Sequence, residues 1–214
     1  MPSEPFIAVS SCPLVRPCTD AVLHALTERG LSVRAYETDG QGGRALEADI
    51  LAGRVTAVFD LSLMELAAER VGAEGGAGPD RLTAAAMRGV PQIIVPGALD
   101  AFLASRERQR PEDRRTAEFA GVWYSRTTPE ENDRLGREIA HKASAARGST
   151  TIVLPLGGLS ALDAPGSPFD WPEARQALSP SLRNWLAPQV KLLELDVHIN
   201  DPRVAQALAE KSSA

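Results

Sequence analysis

The sequence predicts an α/β fold, Rossmann-like, with a mainly parallel sheet of about six or seven strands and helices on both faces. Two observations favour this fold. Short apolar segments alternate with longer segments of helical periodicity along the chain. The short segments are apolar at nearly every position, as strands covered on both faces must be. We expect residues 1–214 to form a single domain of this class.

The strands are predicted from short apolar segments that are bounded by glycine, proline or polar residues. In chain order they cover residues 6–11 (FIAVSS), 31–38 (LSVRAYET), 55–61 (VTAVFDL), 91–97 (PQIIVPG), 121–127 (GVWYSRT), 150–158 (TTIVLPLGG) and 190–198 (VKLLELDVH). Residues 101–120 have a highly charged sequence and are expected to form an irregular excursion. Because helices connect the strands, neighbouring strands run parallel and their carboxyl ends meet at one edge of the sheet.

The helices are predicted from apolar residues spaced three or four apart and from the residues that begin and end each helix. In chain order they cover residues 17–29, 42–53, 64–72, 79–89, 128–146, 173–186 and 201–212. Gly30 and Gly89 are predicted to end two of these helices, because glycine readily adopts the left-handed conformation found at the end of a helix. Thr128 and Pro129 begin the fifth of these helices, where threonine caps the first turn and proline fits the first position.

The composition excludes several classes of function. A net charge of −5 gives no general attraction for nucleic acid, and phosphate binding would need a local cluster of basic residues instead. No apolar segment approaches the ~20 residues of a membrane span, and the first residues lack the pattern of a secretion signal. The two cysteines, Cys12 and Cys18, do not make a disulfide framework. We therefore expect a cytoplasmic protein that binds neither nucleic acid nor membrane.

Two glycine-rich segments follow predicted strands. The segment GQGGR contains Gly42, Gly43 and Arg44, and the segment PLGGLS contains Gly157 and Gly158. Glycine lets backbone N–H groups approach an anion, and the N-terminus of a helix favours negative charge. Each segment could therefore bind an anionic ligand, or it could be only a tight turn into the next element.

Titratable side chains follow the first and last strands. Asp196, His198 and Asn200 alternate in DVHIND and would share one face of a continuing strand. A histidine between carboxylates can be a general base or a metal ligand, although a lone histidine is more often structural. Asp201 could join such a metal site, or only cap the next helix. Cys18 begins a helix, where a thiol pKa would be lowered, so it is either a nucleophile or an inert buried cysteine.

The candidate site collects the residues that follow the strands. Arg126 could pair with a carboxylate or phosphate of the ligand, or with Glu130, Glu131 or an aspartate at the same edge. The candidate catalytic residues are His198, Asp163, Asp60 and Cys18. The candidate ligand-binding residues are Gly42, Gly43, Arg44, Ser62, Gly97, Arg126, Thr127, Gly157, Gly158, Ser160 and Asn200. The candidate metal ligands are His198, Asp196 and Asp201, and the identity of any metal stays open.

Six segments occur in a familiar order along this chain. They are GQGGRALE, VFDLSLMELA, GPDRLTAAAMRGVPQIIVPGALD, RTTPEEN, LPLGGLSALDAPGSPF and DVHIND. In this order they resemble the C-terminal half of the tomato mosaic virus resistance protein-like ATP-binding family, which has many uncharacterised bacterial members. The resemblance runs from about Ile7 to the last helix, and the pair Pro17 and Cys18 matches as well. Full-length members have two Rossmann-like halves, so the resemblance implies that this chain corresponds to the second half.

Two functions are expected. The first is a small-molecule enzyme, of lyase or hydrolase type, that acts on an anionic carboxylate or phosphate ligand at the carboxyl ends of the strands. The second, which the resemblance implies, is an ATP-binding or regulatory subunit that pairs with itself or with a separate first-half protein. The sequence identifies no reaction, and ATP and a divalent metal are the cofactors that it leaves open.

Overall fold

The computed structural model describes residues 4–104 and 114–211. The strands, in chain order, are β1 (Phe6–Ser11), β2 (Val33–Glu37), β3 (Val55–Asp60), β4 (Gln92–Ile94), β5 (Ala101–Leu103), β6 (Thr116–Phe119), β7 (Val122–Arg126), β8 (Thr150–Pro155) and β9 (Lys191–Leu195). The α-helices are α1 (Arg16–Glu28), α2 (Gln41–Leu51), α3 (Met64–Val71), α4 (Ala84–Arg88), α5 (Pro129–Ser144), α6 (Pro172–Gln176), α7 (Leu178–Trp185) and α8 (Pro202–Lys211). A single 3-10 turn over Pro13–Val15 precedes α1.

Six of the strands form one parallel sheet in the order β2-β1-β3-β4-β8-β9. The chain passes from β1 to β2 at one edge and then returns past β1 to β3, so the strand order reverses between β1 and β3. In open α/β sheets ligands bind at this point, because the loops after the two strands diverge and leave a crevice. The predicted α/β class with a parallel sheet and Rossmann-like winding is confirmed.

Successive residues of β1 face opposite layers of helices. Ile7 and Val9 belong to an apolar cluster that includes residues of α1 and α8. Phe6 and Ala8 point the other way and pack with residues of α2 and α4. A further cluster joins α3, α5 and α7 to β8. This alternation, with a period of two, requires both faces of the central strands to be apolar, which is why their sequences are apolar throughout.

The three remaining strands form a small antiparallel sheet in the order β5-β7-β6. Two predictions are wrong here. Residues 101–120 are not irregular throughout, since β5 and β6 lie within them, and the strand predicted at 121–127 belongs to this small sheet instead of the parallel one. β5 follows β4 closely, and Ala101 pairs with Arg126. β6 has only one buried residue among its four, so it lacks the apolar sequence that predicts a strand. Residues 105–113 of the predicted excursion lie outside the described residues.

Two helices differ from their predicted extent. Residues 79–83 form turns, and α4 covers only Ala84–Arg88. Leu82 has a φ of 71°, a left-handed value that a continuing helix does not allow. The helix predicted over 173–186 is divided at Ala177 into α6 and α7. By contrast, α5 begins as predicted, with proline at its first position and a reciprocal capping box.

Candidate functional site

The carboxyl ends of the parallel strands lie beneath the small antiparallel sheet. Tyr124 of β7 belongs to the same apolar cluster as Cys12, which follows β1, and Phe169, in the loop after β8. Arg115, beside β6, donates from Nη1 to the main-chain oxygen of Asp170 in that same loop. The small sheet therefore covers this edge of the molecule and shields the polar residues beneath it.

A cluster of polar side chains lies at the ends of β4 and β8. We call it the acid-pair cluster, and it consists of Asp100, Arg126, Ser160, Asp163, Arg175 and His198. Asp100 and Asp163 are both fully buried. The hydroxyl of Ser160 donates to Oδ2 of Asp100 at 2.6 Å. The backbone N–H of Leu159 donates to Oδ2 of Asp163 at 3.0 Å. Each carboxyl group is thus held by a residue of the loop that follows β8.

Arg126 is fully buried and connects the small sheet to the loop after β8. Its Nε donates to the main-chain oxygen of Phe169 at 3.1 Å, and its Nη1 donates to the main-chain oxygen of Asp100 at 3.3 Å. Nη1 also donates to the hydroxyl of Thr127 at 2.9 Å. Nη2 lies 3.4 Å from Oδ1 of Asp163. Because the guanidinium contacts acceptors from several loops, it holds these loops together, and its removal would leave them unpaired in the interior.

Burial and the negative charge of Asp100 raise the pKa of Asp163 to about 7. The positive charges of Arg126 and Arg175 act against this shift. Burial also raises the pKa of Asp100, again against the attraction of Arg126. Two buried carboxyl groups in one cluster cannot both ionise without cost, so they titrate as a pair. A carboxyl group with a pKa near 7 can donate or accept a proton at neutral pH.

His198 is positioned by hydrogen bonds on both ring nitrogens. Its Nε2 lies 2.9 Å from the main-chain oxygen of Ser160, and its Nδ1 accepts the N–H of Asn200 at 3.1 Å. These partners match the neutral tautomer that carries its proton on Nε2. Asn200 in turn donates to the main-chain oxygen of Leu14 at 3.1 Å and accepts the N–H of Cys18 at 3.4 Å. The loop after β9 is thereby attached to the start of α1.

The glycine pair after β8 allows two loops to approach each other closely. A β-carbon on Gly157 would lie 2.7 Å from the backbone nitrogen of His198. A β-carbon on Gly158, whose φ is +143°, would lie 2.2 Å from the main-chain oxygen of Asp163. No other residue fits at either position without a shift of the backbone. Glycine is therefore required here by the packing of the protein itself.

A second group of polar residues lies at the ends of β1 and β3, where the strand order reverses. We call it the switch-point cluster, and it consists of Ser10, Thr38, Glu47, Asp60, Ser62, Glu65 and Arg81. Arg81 is fully buried and donates from Nη1 and Nη2 to the two carboxylate oxygens of Asp60, both at 2.6 Å. Its Nε donates to Glu65 at 2.7 Å, and Glu47 lies 3.3 Å from Nη1. One arginine thus faces three carboxyl groups, and hydrogen bonds must offset the remaining negative charge.

The glycine-rich segment after β2 binds an internal carboxylate. The backbone N–H groups of Gly40 and Gly43 donate to Oε1 of Glu65 at 2.7 Å and 3.0 Å. A β-carbon on Gly43 would lie 2.0 Å from Oε2 of the same carboxylate. A β-carbon on Gly42 would lie 1.8 Å from the main-chain oxygen of Glu37. Burial raises the pKa of Glu65, against the attraction of the neighbouring arginine. In this structure Glu65 occupies the position that the sequence suggests for an anionic ligand.

The two cysteines are free thiols, and both are buried. The expected lowering of the Cys18 pKa by the start of α1 is wrong, because burial raises this pKa to about 12. Burial also raises the pKa of Cys12 to about 11, although hydrogen bonds from Ser62 and from backbone N–H groups to its sulfur act against this increase. Neither thiol is therefore activated as a nucleophile by these surroundings.

Two further predicted ligand-binding residues contact protein groups outside the acid-pair cluster. Arg44 is exposed and donates to the main-chain oxygen of Gly76 at 2.9 Å. Gly97 lies after β4, and a β-carbon there would lie 2.2 Å from the main-chain oxygen of Leu61, the residue that follows β3. Glu131, which the sequence offers as a partner for Arg126, is paired with another arginine, Arg114.

The candidate metal ligands do not converge. Within residues 4–104 and 114–211, no three His, Cys, Asp or Glu side chains are arranged to hold a metal ion. Asp196 is exposed, and Oδ1 of Asp201 accepts the N–H of Arg203 at 2.9 Å at the start of α8. Asp201 thus has the capping role that the sequence gives as its alternative. Of the same residues, none belongs to a helix with the length and apolar character that crossing a membrane demands.

Several residues of the two clusters are absent from the predicted site. Asp100 and Glu65 follow β4 and β3 closely, so their place after a strand is the signal that could have found them. Arg81 and Arg175 lie within predicted helices, where an arginine is ordinarily exposed. No local pattern indicates that these two side chains turn towards the strand ends, since their carboxylate partners are distant in the sequence.

Comparison with known proteins adds a family to this description. Residues 4–214 match the family described as "Uncharacterised protein family (UPF0261) C-terminal domain". A UPF0261 protein of Clostridium tetani is 36% identical over 191 residues, which are 87% of this chain and 47% of that protein. A UPF0261 protein of Brucella melitensis is 33% identical over 86% of this chain and 45% of its own length. The ToMV resistance protein Tm-1(GCR237) of tomato, Solanum lycopersicum, is 32% identical over 95% of this chain and 28% of its own length.

The family match covers residues 4–214, which is nearly the whole chain, as the six segments that carry the resemblance predict. The chain spans about half the length of its bacterial relatives and less than a third of the tomato protein. The resemblance to a C-terminal half is confirmed, whereas ATP binding stays a prediction. The chain belongs to the UPF0261 family, as a C-terminal domain of that family.

Proposed function

We propose that the carboxyl edge of the parallel sheet binds a small carboxylate or phosphate and transfers protons to or from it, as a lyase or hydrolase does. The observation that carries this proposal is the acid pair, in which burial beside Asp100 raises the pKa of Asp163 to about 7. A group with a pKa near the working pH is the one best suited to general acid–base catalysis. Asp163 is therefore the proton-transfer residue of the proposed site.

Arg175 and His198 are the partly exposed residues of the acid-pair cluster, and we assign the anionic group of the ligand to Arg175, because both ring nitrogens of His198 already have hydrogen-bond partners. The side chain of Arg175 is 11% exposed, and its Nη1 lies 3.2 Å from Oδ1 of Asp163. Its Nη2 lies 3.2 Å from Asp170, an acidic partner that an anionic ligand can replace. A bidentate contact with a guanidinium would then place the ligand beside the acid pair.

A thermal-shift screen with inorganic phosphate and small dicarboxylates tests this proposal. We expect melting temperature to rise with ligand concentration in the wild type. Arg175→Ala should lose this rise, and Arg175→Lys should keep part of it. Arg203→Ala is the matched control, because Arg203 is exposed at the same edge but lies outside the acid-pair cluster. No stabilisation by any of these anions, or equal stabilisation of all variants, would overturn the proposal.

A second candidate function is an ATP-binding or regulatory subunit that works with a first half. It is favoured by the length of the relatives, which are about twice as long as the part that this chain matches. In such a protein each half would supply one wall of a ligand site. A second copy of this chain could take the place of the first half in a homodimer.

Size measurement distinguishes these arrangements. The chain is analysed alone, and then mixed with the remaining N-terminal part of the Clostridium tetani relative, with and without ATP. We expect either a dimer of the chain or a one-to-one complex whose melting temperature exceeds that of its parts. A chain that stays monomeric under every condition would contradict the second candidate function.

A further inference from the structure

Asp100 has one carboxylate oxygen without a hydrogen-bond partner. The residue is fully buried, and its Oδ2 accepts the hydroxyl of Ser160 at 2.6 Å. Its Oδ1 is also buried, and no other residue in the described part of the chain donates to it. Buried polar atoms are nearly always paired, so an exception at a strand end requires an explanation. The missing partner of the ionised group is a hydrogen-bond donor, because a carboxylate oxygen only accepts.

The donors around Asp100 are directed elsewhere. Nη1 of Arg126 donates to the main-chain oxygen of Asp100 and not to its carboxylate, and Nη2 is directed to Asp163. The hydroxyl of Ser160 is committed to the other oxygen. The protein has thus brought an arginine next to this carboxyl group and still left one oxygen open to a donor from outside.

The charges around Asp100 favour a neutral or cationic donor. Cys12 is close enough to Asp100 for the two side chains to interact electrostatically, and the same holds for Tyr124 and Cys12. The thiol and the phenol are both neutral at pH 7, since burial raises their pKa values to about 11 and about 12. A second anionic group beside the buried carboxyl groups of Asp100 and Asp163 would be costly, which leaves a hydroxyl or an ammonium as the partner of Oδ1.

We infer that Oδ1 of Asp100 accepts a hydroxyl or amino group of the ligand, so that the ligand is a small hydroxy- or amino-substituted carboxylate. This inference rests on the proposed function, because it takes the anionic group to be bound at Arg175 in the same cluster. Asp100 then determines specificity, and Asp163 transfers the proton. Since Asp100 is fully buried, the loop after β8 or the small sheet must move when the ligand enters.

Three probes that share one carbon skeleton test the inference. Succinate, malate and aspartate differ only in a hydrogen, a hydroxyl or an ammonium on one carbon, and each is titrated calorimetrically into the full chain. We expect malate or aspartate to bind about tenfold more tightly than succinate, as a hydrogen bond to a charged acceptor predicts. Asp100→Asn should abolish this preference. Asp20→Asn, at an exposed position of α1, is the control variant and should keep it.

The possible results separate this inference from the proposed function. Equal binding of the three probes to the wild type would overturn the inference and leave the proposed function intact; an internal water would then be the partner of Oδ1. A preference that survives in Asp100→Asn would also overturn it. Failure of these probes and of inorganic phosphate to bind would overturn both proposals. The wild-type comparison decides the question even if the variant does not fold.

Discussion

The charged residues at the carboxyl edge are paired mainly with one another. Arg81 contacts Asp60 and Glu65, and Arg126 contacts Asp163 together with several main-chain oxygens. A buried charge is tolerated only when partners and hydrogen bonds replace the water that it has lost. At the scale of single residues, the internal pairing therefore leaves few groups free for a ligand, and these few include Oδ1 of Asp100 among the described residues.

Replacement of Asp163 should change how stability depends on pH. In the folded protein its pKa is raised from 3.8 to about 7, so the folded chain keeps a proton that the unfolded chain has lost between these values. The stability that this proton provides is complete below about pH 4 and is lost as the pH rises towards 7. We expect the wild type to lose stability relative to Asp163→Asn over this range.

Urea denaturation of both proteins at a series of pH values measures this difference. The comparison of two chains is needed because other carboxyl groups, with raised or lowered pKa values, contribute to each curve. Asp20→Asn serves again as the exposed control and should follow the wild type. Parallel curves for the wild type and Asp163→Asn would show that Asp163 titrates as an ordinary carboxyl group.

Removal of the Arg81 guanidinium should cost far more than removal of an exposed one. Arg81→Met leaves Asp60, Glu65 and Glu47 without their shared cation, and breaking a buried ion pair costs about 3–5 kcal/mol. Arg134→Met is the control, because Arg134 forms an exposed ion pair on α5 that is worth about 0–1 kcal/mol. The free energy of unfolding in urea provides the test. A similar small loss in both variants would show that the Arg81 guanidinium contributes little to the stability of the fold.

The connections after the strands determine the structure of this edge more than the strands do. The loop after β8 passes through Gly158, supplies Ser160 and Asp163, and receives Arg126 from the small sheet. The loop after β3 supplies Glu65, which binds the N–H groups after β2. At the scale of elements, each loop is thus held by polar contacts from another loop, and the strands provide the common edge.

Two glycines in the loop after β8 allow the contribution of the loop's close contacts to stability to be measured. Gly166 has a φ of +78° with nothing near its missing β-carbon, so Gly166→Ala should cost only the backbone strain of about 1–2 kcal/mol. In Gly158→Ala the new β-carbon would also meet the main-chain oxygen of Asp163 at 2.2 Å. We expect a clearly larger loss of unfolding free energy and a weaker ligand response in Gly158→Ala. Equal losses of unfolding free energy in the two variants would show that the loop shifts to accommodate the new β-carbon of Gly158→Ala at little cost.

The whole molecule is a six-stranded sheet whose two edges differ from its centre. β1 and β8 are buried along their entire length, whereas β2 and β9 are partly exposed and each pairs on one side only. The carboxyl edge is covered by the small sheet, and the family relationship adds that relatives carry about as much chain again. At this scale β2 and β9 are the strands of the parallel sheet that each keep one unpaired side among the described residues.

Amide hydrogen exchange should follow this arrangement. We expect the amides of β1 and β8 to exchange most slowly and those of β2 and β9 faster, because stability is lowest where few apolar contacts are buried. The measurement is made on the chain alone by mass spectrometry. Protection of β9 equal to that of β8 would contradict the expectation and would indicate that a second copy covers this edge.

The sequence alone determined the order and type of most elements, the threonine cap and the proline that begin α5, and the edge at which the strand ends meet. These features depend on the period of apolar residues and on groups a few positions apart, so a local pattern predicts them. The tertiary structure decided the rest. Ser160 and Asp100 are 60 residues apart, and Arg81 and Asp60 are 21 apart, yet each pair is in direct contact. Burial and ion pairing act between such distant residues, so the strand-end glycines and Arg126 could be located from the sequence, whereas Arg81, Arg175 and the partners that they bind could not.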